Sequence, residues 1–161
     1  MTTRPVRSLT AVALSLALLT GAATGARAND DTDDYTMQVI DQLTDTTATA
    51  ANAGYALLDA ASDRLYTGDW HQKTLYLEAG REYRIAGACD DDCRDMDLAL
   101  YDAEGREIAR DTRHDDRPAV SVRVRREGEY TLAVAIPDCR AGRCTYGIAL
   151  YGRPLAGKPR I

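Results

Sequence analysis

Two hydrophobic periods divide this sequence near Gly68. Before it, apolar or small residues recur at Met37, Ile40, Leu43, Thr47, Ala50, Ala51, Gly54, Leu57, Leu58 and Ala61, close to a helical repeat. The spacing predicts a helix from about Asp34 to Ala61, with a weak point at the Thr-rich stretch from Thr44 to Asn52, where helix propensity falls. After Gly68 the period becomes two. Leu75 and Leu77 alternate with Thr74 and Tyr76; Tyr83, Ile85, Gly87 and Cys89 with Glu82, Arg84, Ala86 and Ala88; Met96, Leu98 and Leu100 with Asp97, Ala99 and Tyr101. The turn Asp102-Ala103-Glu104-Gly105 leads to a short strand around Glu107 to Arg110. Val120, Val122 and Val124, then Tyr130, Leu132, Val134 and Ile136, and finally Tyr146, Ile148 and Leu150 continue the series. Short alternating strands bounded by Gly, Asp and Pro predict an all-β domain with an N-terminal helix: an antiparallel sandwich or barrel of about seven strands, each sheet wet on one face.

The first residues change where this domain is expected to work. Arg4 and Arg7 precede an apolar run from Ala11 to Leu19, and small residues lead to Ala26-Arg27-Ala28. That is the pattern of a secretory signal peptide cleaved after Ala28, and no later apolar run approaches the roughly 20 residues of a membrane span. The expected product is periplasmic or secreted. Losing Arg4, Arg7 and Arg27 and no acid takes the net charge from −5 to −8. Such a surface repels nucleic acid and anionic membrane and favours cations, basic partners or simply solubility. The divisions expected are residues 1–28 as signal, 29–67 as a loose acidic start (29–34) and the helix, 68–152 as the sandwich, and 153–161 as a loose tail.

Four cysteines form two close pairs, Cys89 with Cys93 and Cys139 with Cys144. Outside the cytoplasm an even count predicts two disulfides; sequence permits three connectivities, and the local pairing is preferred. Each bridge then demands a tight turn, because Cα atoms must approach within about 4.4–6.8 Å.

Catalytic chemistry is thinly represented. His71, His114, Ser62 and Ser121 show no nucleophile-elbow context, oxidised cysteines offer no thiolate, and the histidines lie too far apart in sequence to suggest zinc. The densest candidate is the acid run Asp90, Asp91, Asp92, Asp95 and Asp97. Two readings stand: a calcium site drawn from Asp90, Asp92, Asp95 and Asp97, since crowded carboxylates suit a hard cation with six to eight oxygen ligands, or a solvated, disulfide-pinned loop in which Asp97 bonds backbone at the strand entry. Trp70, the single Trp, is either a lid on the core or a ligand-stacking platform. His114 reads as an exposed loop residue, and Arg123, Arg125 and Arg126 as a wet sheet face.

The text DMDLALYDAEGREIARD, then GEYTLAV and YGIALY, resembles the bacterial pre-peptidase C-terminal (PPC) domain family over roughly Leu75 to Tyr151. The matching residues are Asp95, Asp97, Leu98, Leu100, Tyr101, Asp102 and Gly105, then Gly128, Tyr130, Leu132 and Val134. The resemblance implies a small jelly-roll-like sandwich acting as a non-catalytic accessory or binding module, in some members with calcium. The expectation is therefore an exported module binding a protein or polysaccharide, with calcium as the one candidate stabilising ion and no other cofactor expected; the alternative is a structural cell-envelope protein acting through its helix or an edge strand.

Overall fold

The computed structural model describes residues 30–155; the expected signal peptide and the end of the tail lie outside the described residues. One helix, α1 (Asp30–Asn52), precedes eight strands: β1 (Ala56–Tyr66), β2 (Trp70–Leu77), β3 (Arg81–Cys89), β4 (Cys93–Tyr101), β5 (Glu107–Asp111), β6 (Ala119–Val124), β7 (Gly128–Cys139) and β8 (Arg143–Pro154). They form two four-stranded antiparallel sheets, ordered β1-β8-β3-β6 and β2-β7-β4-β5. The fold is an all-β sandwich with an N-terminal helix.

The period-two residues meet between the sheets. Leu75, Leu77, Tyr83, Ile85, Met96, Leu98, Leu100, Val120, Val124, Leu132, Val134, Ile136, Tyr146 and Ile148 belong to one buried cluster. Burying each large side chain of this kind favours folding by about 1.5–3 kcal/mol.

The second, smaller cluster lies outside the first sheet, where α1 packs. Here the sheet presents Ala86 and Ala149 beside Tyr151, against Ala50 and Leu43 of the helix. Small residues let the helix backbone come close. A Cβ added at Gly147 would stand only 2.6 Å from Val39 Cγ1 and 2.8 Å from Leu43 Cδ1. The Thr-rich stretch does not break the helix: Thr44, Thr46, Thr47 and Thr49 satisfy their hydroxyls on the carbonyl four residues back, and packing on the sheet outweighs the low propensity.

Three sequence expectations need correction. The helix ends at Asn52, not Ala61: Gly54 adopts φ 81°, a left-handed conformation in which glycine is unstrained, and Tyr55 N–H bonds the Ala50 carbonyl to close the turn. Residues 56–61 instead open β1, so the sandwich starts well before Gly68. The acidic start is helical from Asp30 rather than loose; acidic sequence suits the positive end of a helix dipole. The first part of the tail is also ordered, since β8 runs to Pro154 and Leu155 N–H bonds the Gly80 carbonyl at 2.9 Å.

Candidate functional site

The two cysteine pairs close as local disulfides, Cys89–Cys93 and Cys139–Cys144, with Cα separations of 5.8 and 5.9 Å. Register places the two loops side by side, because Cys93 pairs with Cys139. The acid run lies in this corner, and the chain's own groups occupy much of it. Asp90 is 2% exposed; its carboxylate accepts the backbone N–H groups of Asp92 and Thr145. Burial pushes its carboxyl up from the ordinary range, and those two N–H donors oppose the shift. Asp92 accepts the Tyr35 hydroxyl at 2.8 Å and lies 3.5 Å from the Arg140 guanidinium. Asp91 N–H donates to Gln38 Oε1, and Gln42 Nε2 donates to the Cys89 carbonyl. The loop is thus a dock for α1. Asp95 instead meets His114 Nδ1 at 3.1 Å, and Asp97 faces away from this corner. The carboxylates expected to supply a calcium site do not converge in threes: among the described residues no three His, Cys, Asp or Glu side chains form a metal-holding group.

Asp97 belongs to another place. In β2 the core residues Leu75 and Leu77 leave Trp70, Gln72, Thr74 and Tyr76 on the outer face; in β4, Met96, Leu98 and Leu100 leave Asp97, Ala99 and Tyr101 outside. Strand β7 lies between them. Trp70 and Asp97 both pair with Ala135, and Gln72 and Ala99 both pair with Ala133. Two expected site residues therefore share one row across three strands, about 10 Å apart at two strand spacings. The alanines leave a shallow concavity of roughly 400 Å³, with Trp70, Gln72, Asp97, Tyr101 and Thr112 around it.

The electrostatics of this trough are unusual. Trp70 is 60% exposed, so it does not lid the core; Tyr76, farther along β2, is 65% exposed. Asp97 Oδ1 is enclosed and has no hydrogen-bond partner, so it does not bond backbone at the strand entry. Burial, then the nearby charges of Asp95 and Asp111, push its carboxyl up. The more distant charges of Arg110 and His114 oppose that shift, while their direct ion pairs are with Glu107 at 2.9 Å and with Asp95.

A second concavity, about 230 Å³, opens between edge strands β1 and β2 and is lined by Ser62, Asp63, His71 and Tyr146 among others. His71 Nδ1 lies 3.1 Å from the Tyr146 hydroxyl and 3.5 Å from Asp63 Oδ2. Burial, and then Asp63, push the Tyr146 hydroxyl up to about 12. No hydrogen bond joins Ser62 to His71, and Ser62 and Asp63, adjacent in a strand, point to opposite faces. The geometry is not that of a serine triad.

No protein-family model and no curated protein matches this chain. Among solved structures, it is similar to Aeromonas hydrophila PliG, a periplasmic lysozyme inhibitor of g-type lysozyme, at 16% sequence identity and a TM-score of 0.42, over 62% of this chain and 86% of that one. A likeness of that size bears on neither mechanism nor partner. No helix among the described residues is long and apolar enough to cross a membrane.

Proposed function

We propose that this protein is an exported, non-catalytic binding module that takes a protein or polysaccharide partner on the outer face of the β2-β7-β4-β5 sheet. The observation that carries the reading is an asymmetry. The outer face of one sheet is covered by α1 on a bed of small residues, whereas among the described residues nothing covers the outer face of the other around the exposed Trp70. A concavity that combines an aromatic side chain with a few polar groups is the usual form of a binding site. Two disulfides support an oxidising destination. The helix is engaged with its own sheet, which counts against its serving as the contact element of a structural envelope protein.

Kinship with the PPC modules belongs to the same proposal. What supports it is that Leu98 and Leu100 face the core while Asp102 holds the β4–β5 turn, accepting the N–H groups of Glu104 and Arg106.

The test is capture of partners by the processed chain, from periplasmic and secreted fractions and on a glycan array, set against Trp70→Ala. Partner binding that falls at least tenfold in the variant, with an unchanged circular dichroism spectrum, is the expected result. A partner bound equally by both forms places the binding surface elsewhere and defeats this reading.

A further inference from the structure

We infer that the Trp70–Ala135–Asp97 row seats a side-chain cation, an arginine or lysine presented by a basic partner protein. The inference rests on the binding-module reading and narrows its partner to a polypeptide. Three features carry it. An indole face exposed on the edge strand offers the best aromatic surface for a cation. One strand spacing beyond Ala135 stands the half-buried carboxylate of Asp97, whose enclosed Oδ1 accepts no hydrogen bond from the chain. Between them the alanine floor leaves room for a flat guanidinium or a slim lysine stem, and the concavity has both groups in its wall.

A neutral saccharide would use the ring face but would leave the charge of Asp97 uncompensated. A cation answers both groups at once; within the chain Arg110 and His114 offset the Asp97 charge only from a distance, their direct ion pairs being with Glu107 and Asp95. The overall charge of −5 points the same way, since it accelerates the approach of a basic protein and opposes an anionic one. An arginine fits best, because its planar group stacks on the indole while its N–H fork reaches the carboxylate.

Trp70 is the only Trp in the chain, so its fluorescence reports this trough alone. The processed protein is titrated with a tetra-arginine peptide and, separately, with a neutral chitooligosaccharide. The peptide should change Trp70 emission saturably and bind more weakly as salt is raised. Asp97→Asn should weaken it about tenfold, the scale expected for losing one charge beside an aromatic cation seat. Asp45→Asn, on the exposed side of α1, should change it less than about twofold. By calorimetry, Trp70→Leu should lose as much as Asp97→Asn, and thermal melting of each variant checks that it folds. Equal losses in Asp97→Asn and Asp45→Asn would mean general charge attraction and overturn the inference. Binding of the oligosaccharide but not the peptide, sensitive to Trp70→Leu and indifferent to Asp97→Asn, also overturns it while leaving the binding-module reading intact. If neither probe moves Trp70 emission and Trp70→Ala leaves captured partners bound, both fall.

Discussion

Asp97 and Asp111 lie near each other at the β4–β5 end, yet their carboxyls sit on opposite sides of the ordinary value. Asp111 is held at about 2 by the Arg113 guanidinium, with the N–H groups of Ala119 and Arg113 adding to the effect against burial. Its bonds to Arg113 Nε and to Ala119 N are both 2.9 Å. A folded value below the unfolded one favours folding whenever the group is ionised in both states. The contribution is therefore complete above about pH 5 and lost as pH falls toward 2. It is worth about 1–2 kcal/mol at neutral pH, a figure reduced because Arg113 is largely exposed. Urea midpoints of the parent and Asp111→Asn should differ at pH 7 and converge near pH 2; a gap that does not change with pH would remove the ion pair as its cause. Asp97 has the reverse sign. Its raised value means that the charged form costs stability at neutral pH and that the cost is relieved as pH falls through the folded value. Asp102 is a turn residue, lowered first by its bond to Arg106.

At the scale of elements, the docking of α1 depends on how little the sheet beneath it projects. Val39 is fully buried over Gly147. A branched side chain such as Val cannot swing aside as a longer one would, so a methyl at Gly147 must displace the helix. Gly147→Ala should cost about 1–3 kcal/mol, typical of an overpacked core site, and should speed proteolysis within residues 36–53 before the sandwich unfolds. Equal protection in parent and variant would show that the helix rests mainly on its polar bonds to the Cys89–Cys93 loop. These relations were only partly legible in the sequence. Alternation from Leu75 to Leu150 marks strands because the side chains between the sheets are apolar, although β3 and β8 are dry on both faces where α1 covers them, against the expectation of one wet face per sheet; the same parity places Trp70 outside with Thr74 and Tyr76, which argues against a core lid. Strand β1 has no such alternation, since its first eight residues are exposed, and Leu57, Leu58 and Ala61 fall on helical spacing by coincidence. The row joining Trp70 to Asp97 was out of reach: β2, β7 and β4 are distant in sequence, and local pattern says nothing about which strands adjoin.

The molecule as a whole is a sandwich closed more firmly on one side than on the other. Where β5 meets β6, the two sheets are tied by Asp111 accepting the Ala119 N–H. On the opposite side, β1 and β2 face each other across a mouth bridged by Lys73 to Asp59 at 2.9 Å and by His71 with Asp63 and Tyr146. These side chains are partly exposed, and such pairs contribute about 0–1 kcal/mol each. Their position suits a different task. Both strands are sheet edges, β1 spans 11 residues, and an edge of that length bearing Leu57 and Leu58 would accept another strand were it not for charges turned toward the mouth. Removing those charges separates the two roles. Asp59→Ala combined with Asp63→Ala should alter the melting temperature by no more than a few degrees, the equivalent of about 1 kcal/mol in a domain of this size. It should also produce a concentration-dependent rise in molecular mass by light scattering. A double variant whose mass matches the parent at every concentration would show that the bulge between Leu57 and Asp59, rather than the inward carboxylates, keeps the edge unpaired.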